Sequence, residues 1–229
     1  MEYIGSELEL FSHAVNWKNY FARAITPYIK GDVLEVGAGL GVNSQFLQNP
    51  HVDSWHYLEP DERLCSQIEQ HMPPALPRHA ITCGTIDALE GLTFDTVLYI
   101  DVLEHIAQSK EELEKLQRFV KPGGHLIILI PAYNFLFSEF DKSIGHYRRY
   151  NKRLLKSEVP GGFAQVKLFY LDSLGVIASI ANKLLLHQQN PTAKQVAFWD
   201  KVIVPLSKLT DKVFFHAFGK SLIGIYKRK

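Results

Sequence analysis

Asp32-Val33-Leu34-Glu35-Val36-Gly37-Ala38-Gly39-Leu40-Gly41 is the stretch that decides the fold class. An apolar run rich in valine passes into three glycines at alternate positions, and Val42–Leu47 then has the character of a helix start. Strand, glycine turn and helix in that order let the backbone approach a ligand closely at the strand's carboxyl end. The next apolar run, Ser54–Leu58, ends in Glu59, about 20 residues beyond the loop. A carboxylate there is placed to accept hydrogen bonds from both hydroxyls of a ribose. Simpler readings stand beside these: glycines that only make a tight turn, and a surface Glu59 that caps the following helix. A dinucleotide fingerprint needs its third glycine five residues after the first, where this chain has Val42. A nicotinamide-dependent oxidoreductase is therefore disfavoured.

Working outward, short apolar runs alternate with amphipathic stretches. Val33–Val36, Ser54–Leu58, Ala80–Thr82, Thr96–Ile100 and His125–Ile130 are strand candidates, with helices around Val42–Leu47, Glu62–His71 and Lys110–Phe119. Lys121-Pro122-Gly123-Gly124 reads as a helix stop and turn. Before this core, residues 6–28 carry a helical period. After it, the rhythm gives way to an aromatic segment from Pro131 to Tyr150. A helix near Asn151–Glu158, a strand at Ala164–Tyr170, helices at 172–187 and 192–215 and a last strand at Ser221–Tyr226 follow. The expected architecture is α/β: a doubly wound, Rossmann-like, mostly parallel seven-stranded sheet with a helical insertion before the last strand. Residues 1–229 form one domain in this reading. Its parts are N-terminal helices (1–30), a cofactor-binding core (31–131), a substrate loop and helix (132–160) and a helical insertion or lid (171–217).

The bulk numbers agree with one buried core: 229 residues, 46% hydrophobic and 21% charged. A net charge of +1 predicts no nucleic-acid affinity from overall electrostatics. Cys65 and Cys83 are too few for a disulfide framework and lack metal-ligand spacing, which points to a reducing compartment. The N-terminus lacks the basic start and apolar run of a signal peptide, and no stretch has the length of a membrane span. The expectation is a cytoplasmic protein acting on a small molecule.

VLEVGAGLG, the strand-terminal Glu59, FDTVLYIDVLEHI and LQRFVKPGGHLIILIP together resemble the class I S-adenosylmethionine-dependent methyltransferases over about Val33 to Pro131. The resemblance implies an enzyme with S-adenosyl-L-methionine as cofactor. It implies that Gly37, Gly39 and Gly41, with Glu35, cradle the methionine part and that Glu59 holds the ribose. The adenine contact falls in Thr85, Ile86 and Asp87. Members of the family often carry Asp directly after Gly84, where this chain has Thr85, so the adenine partner is left open among these residues. Core packing explains the aromatics of the first helices as well as a role in folding over the cofactor does.

Ligands of doubly wound sheets bind beyond the strands' carboxyl ends. That places Asp101, Glu104 and His105 after the fourth strand near the transferred methyl, and Tyr133 after the fifth. Transfer to a hydroxyl also needs a base, for which His105 is the first candidate, with His146 and Tyr133 as further catalytic candidates. Asp141–Tyr150, DKSIGHYRRY, looks like a subgroup of these methyltransferases associated with bacterial glycan or secondary-metabolite pathways. Its Tyr147, Arg148 and Arg149 suit an anionic acceptor, since guanidinium forks match phosphate, sulfate or carboxylate. The plain reading of the same residues is a solvated basic helix start.

Asp101, Glu104 and His105 at i, i+3 and i+4 would converge if a helix begins there, with His146 closing the set. Small-RNA 2′-O-methyltransferases and ubiquinone-pathway O-methyltransferases look similar in this respect and associate the pattern with a divalent metal, although a metal is the less favoured expectation. The main reading is O-methylation of a small, anionic or sugar-linked acceptor. Its rivals are N- or C-methylation and a non-catalytic module that keeps the fold for interaction. The helical insertion offers a surface for a homodimer or for peripheral membrane contact.

Overall fold

The structure, a computed structural model, describes residues 7–74, 76, 78–181 and 191–229. Helices α1 (Glu7–Ser12) and α2 (Val15–Ile25) precede strand β1 (Gly31–Val36), a short α3 (Ser44–Leu47), β2 (Val52–Glu59), α4 (Glu62–His71) and β3 (His79–Cys83). Next come β4 (Phe94–Ile100), α5 (Ser109–Leu116), β5 (Val120–Pro131), α6 (Glu139–Ser143), α7 (Lys152–Glu158) and β6 (Phe163–Leu171). Helices α8 (Ser173–Ala181), α9 (Ala193–Phe198) and α10 (Val204–Val213) lead to β7 (Ser221–Arg228). One π turn, Trp199–Ile203, joins α9 to α10.

The seven strands form one sheet in the order β3-β2-β1-β4-β5-β7-β6. β1 to β5 pair in parallel, and β7 runs antiparallel between β5 and β6. Strands β4 and β5 are buried on both faces, which is why they read as continuous apolar runs rather than alternating ones. Successive residues feed opposite layers. Leu34, Tyr99 and Ile128 pack toward α5 and α7, while Val33, Leu98 and Ile127 pack toward Trp17, Phe21 and Ile25 of α2. Chain direction away from β1 and away from β4 diverges at their shared edge, so a crevice opens above the carboxyl ends of those two strands.

Several expectations need correction. Lys121–Gly124 is not a turn before the strand but lies inside β5: the register moves from Phe94 opposite Val120 to Thr96 opposite His125, a bulge. Lys121 holds that bulge through Asp32 and Asp95, at 2.9 and 2.7 Å. No α-helix starts at Asp101; only a single 3-10 turn, Leu103–His105, is present. Cys65 and Cys83 are joined in a disulfide with their Cα atoms 6.0 Å apart. β3 sets Cys83 beside Glu59, and the first turns of α4 carry Cys65 back over that strand end. The sequence reading, which took two cysteines as too few for a disulfide framework, did not anticipate that pairing. The helix expected over 172–187 is seen to Ala181, and its remainder lies outside the described residues, as do residues 1–6 of the N-terminal part.

Candidate functional site

Above the crevice lies a cavity of roughly 1800 Å³. Its floor is the glycine turn after β1 and the ends of β2, β4 and β5; α1, α2, α6, α8 and α9 roof it. The turn owes its shape to glycine. Gly37, Gly39 and Gly41 all have positive φ, and a Cβ on Gly37 would come within 2.7 Å of Val102. Glu59 braces the turn from the neighbouring strand: its carboxylate accepts from the Gly39 amide at 2.8 Å and from the Asp61 amide at 3.0 Å. Burial pushes the Glu59 carboxyl above its ordinary range, and those two amide bonds oppose the rise.

Eleven of the residues singled out from the sequence line the cavity: Gly37, Gly39, Glu59, Thr85, Ile86, Asp101, Glu104, His105, His146, Tyr147 and Arg149, so the glycine turn and the GHYRRY segment face one space. Five others do not. Glu35 lies beneath the turn, accepting from the Asn43 amide and the Trp55 indole at 3.0 Å each, and burial raises its carboxyl to about 7. Gly41 packs toward Ile68 and Tyr57. Asp87 points outward to Lys115 and Arg118, at 3.1 and 3.7 Å. Tyr133 stacks on Tyr170 with ring centroids 5.0 Å apart. Arg148 donates to Ser109 Oγ and the Ala107 carbonyl, both at 2.6 Å, and so ties the loop to α5.

Three further charged residues of the cavity, to which the sequence reading gave no role, bear on the site. Lys18, 9% exposed on α2, donates to Asn43 at 3.0 Å, and burial lowers its ammonium pKa against the attraction of Asp101 and Glu35. Lys220 enters just ahead of β7, with its ammonium over the Trp199 ring at 5.1 Å. Asp141 is the third. Lys18 hides as the polar residue of an amphipathic helix, and Lys220 reaches the site only because β7 pairs Ser221 with Pro131. Asp141 had a signal: with Ser138 it forms the capping box of α6.

Asp141 is the hub of the far wall. It accepts from His146 Nδ1 at 2.9 Å and, bidentately, from Arg149 at 2.8 and 2.9 Å. Burial alone would raise this carboxyl, but the bonds from His146 and Arg149 outweigh it and hold Asp141 well below the usual range. Glu104 lies nearby with no exposed surface, its Oε1 3.9 Å from His146 Nε2, and neither of its oxygens has a hydrogen-bond partner. Burial, reinforced by the Asp101 charge, pushes the Glu104 carboxyl well up. His105 packs edge-on against His146, ring centroids 4.5 Å apart. Burial and the neighbouring His146 lower its pKa to about 4, while a bond to the Ile144 backbone opposes this. Asp101 adopts a left-handed φ of 53° at the end of β4. It faces Lys18 and Lys220, and burial raises it to about 6 against their pull and that of His146. Ligand atoms of Glu104, His105 and His146 lie within 4.8 Å of one another; Asp101 is not part of that group.

Residues 34–126, which run from β1 to the start of β5's paired segment and supply most of the cavity floor, match the family model of a methyltransferase domain. The chain carries an S-adenosylmethionine-dependent methyltransferase domain. No curated protein matches the sequence of this methyltransferase. Solved structures share its fold at low identity. A methyltransferase of Haloferax volcanii, solved with the Trm112 activator, is 16% identical over 93% of this chain and 90% of its own, with a TM-score of 0.64. The N-methyltransferase NodS of Bradyrhizobium japonicum, solved with S-adenosyl-L-homocysteine, is 12% identical over 94% and 88%, TM-score 0.56. The [4+2]-cyclase SpnF is 14% identical over 98% and 94%, TM-score 0.61. A cyclase among them shows that the fold leaves the reaction open and that the site must decide it. Among the described residues no helix is long and apolar enough to cross a membrane.

Proposed function

We propose that this methyltransferase transfers the methyl group of S-adenosylmethionine to a hydroxyl oxygen of a small acceptor that is anionic or sugar-linked. The cofactor supplies an electrophilic methyl on a sulfonium centre. The residues present fit it. The backbone of Gly37 and Gly39 receives its methionine part beside Asp101 and Lys18, Glu59 meets the ribose hydroxyls, and Thr85 and Ile86 flank the adenine. Glu35 and Gly41 act indirectly, by holding the turn from below.

The observation that carries the reading is the His146–Asp141 pair on the wall opposite the glycine turn. With Asp141 accepting a hydrogen bond from Nδ1–H, the Nε2 lone pair is left as the site for the acceptor's hydroxyl proton. The Asp141 carboxylate then stabilises the imidazolium that forms. His105, its pKa lowered to about 4 by burial and the neighbouring His146, serves to pack His146 in place. Arg149 keeps Nη1 buried without a partner, and with Lys220 it offers charge for an acceptor phosphate or carboxylate. The test is His146→Ala, assayed with hydroxylated sugar and phosphorylated acceptors. Turnover should fall about 10²–10⁴-fold while calorimetric affinity for S-adenosylhomocysteine is kept. Full turnover in the variant would remove His146 as base.

A second reading has its own observation, the unpartnered Glu104 carboxylate beside two imidazoles whose other nitrogens are anchored to Asp141 and to the Ile144 backbone. Such anchoring orients histidines toward a divalent cation. Turnover that survives EDTA supports the base; turnover abolished by EDTA and restored by Mn²⁺ or Mg²⁺ supports the cation.

A further inference from the structure

The run from α9 to α10 is fastened to the domain by one face. Asp200, 4% exposed, accepts from the Trp17 amide at 2.8 Å and the Asn16 amide at 3.2 Å, capping α2. Asp211, with no exposed surface, accepts from the Asp172 and Ser173 amides at 2.7 and 2.8 Å, at the start of α8. Both acids of the run are thus spent inward. What remains outside has an unusual composition: every exposed residue from Ala193 to Ala217 is either apolar or a lysine.

The π turn Trp199–Ile203 resets the helical phase by about one residue, and Phe198, Val202, Leu206, Leu209 and Val213 fall into one outward stripe. Lys194 stands at its start, and Lys201 and Lys212 flank it. The stripe ends at Phe214 and at Phe215, which is 90% exposed on a left-handed backbone. Backbone bonds from Phe215 to the Lys212 carbonyl and from His216 to the Asp211 carbonyl fix that turn. The same face reaches the cavity, because Lys194 and Phe198 line both.

We propose that this face seats the protein on an anionic lipid bilayer, with the stripe and Phe215 in the headgroup–acyl boundary and the lysines reaching the headgroups. An apolar stripe edged with lysines, on a run whose exposed residues include no acid, matches hydrocarbon bordered by negative charge. Two copies of the chain pairing through it would instead set lysines against lysines with no exposed acid in the run to compensate. The proposal is independent of which atom the enzyme methylates.

Flotation of the full chain with phosphatidylcholine vesicles, with and without phosphatidylglycerol, tests it. Binding should be at least about tenfold tighter with phosphatidylglycerol and should weaken as salt is raised. Leu209→Glu with Val213→Glu should abolish binding, and Lys201→Glu with Lys212→Glu should erase the phosphatidylglycerol preference. Circular dichroism and unchanged affinity for S-adenosylhomocysteine would show that both variants stay folded. The proposal is overturned if neither vesicle binds or if the variants bind as the parent does. A concentration-dependent dimer in light scattering that Leu209→Glu dissolves would overturn it as well, assigning the face to self-association.

Discussion

The two walls of the cavity are built on different principles. The glycine wall, from Gly37 to Asp101, is made of strand ends and backbone amides, with Glu59 accepting from Gly39 and Asp61 as its brace. The opposite wall, from Glu104 to Arg149, rests on side chains that converge on one buried carboxylate, Asp141. A wall of backbone tolerates the loss of a single side chain, because main-chain geometry persists. A wall of side chains sharing one acceptor is cooperative, and the loss of one member leaves the others unsatisfied. Disturbing each wall in turn can break this contrast.

The largest effect is expected at Arg149. Its guanidinium is 9% exposed and clamps Asp141, which is 1% exposed. Arg149→Met leaves a buried carboxylate short of its main counter-charge and should cost about 3–5 kcal/mol of unfolding free energy in urea. Affinity of the folded variant for S-adenosylhomocysteine should change little. A loss below about 1 kcal/mol would mean that His146 and Ser138 suffice for Asp141, and that the wall is not cooperative.

On the glycine wall, Glu59→Ala should weaken S-adenosylhomocysteine binding by about 1–3 kcal/mol in calorimetry, since it removes the brace on Gly39 and the charge-assisted bonds to the ribose proposed above. Unchanged affinity would strip Glu59 of the ribose role. Glu35 sharpens the contrast through pH. Its folded pKa of about 7 lies above its ordinary value of 4.5 because burial penalises the charge. The stability it contributes is therefore fully present below pH 4.5 and is lost as pH rises through 7. Glu35→Gln should narrow the stability gap between pH 5 and 8 by on the order of 1–3 kcal/mol. Parallel urea profiles for variant and parent would show that Glu35 does not titrate in that window.

The same division explains what could be read from the sequence. Strand β1, the glycine turn and Glu59 are contiguous or one crossover apart, so spacing alone places them together. His146 and Arg149 were visible as unusual residues, but the sequence offered no means to rank them: their roles depend on Asp141 receiving both and on Tyr147 N–H bonding the Glu104 carbonyl at 2.8 Å, a contact between residues 43 positions apart. Tyr133 and Arg148 look equally reactive in the sequence, yet a stack on Tyr170 and bonds to Ser109 and Ala107 occupy them. Lys220 could not have been found, because it joins the site through an antiparallel pairing formed by the last strand. Lys121–Gly124 misled because Pro-Gly-Gly signals a turn, whereas two aspartates around Lys121 hold the segment in the sheet.

The smallest effect belongs to Asp87, and it tests whether the glycine wall is already formed before the cofactor arrives. Its carboxylate is 58% exposed and bridges to Lys115 and Arg118 across the surface, while Thr85 and Ile86 of the same segment line the cavity. Exposed bridges of this kind contribute little, so Asp87→Ala should shift unfolding free energy by less than about 0.5 kcal/mol. If adenine rests against Thr85 and Ile86, S-adenosylhomocysteine affinity should stay within about twofold, because a backbone-built slot does not need the neighbouring acid. A loss of about fivefold or more would require the Ile86–Ala88 turn to swing Asp87 inward on binding. The glycine wall would then be completed by its ligand, and the contrast between a preformed wall and a cooperative one would fail on the side where it looks most secure.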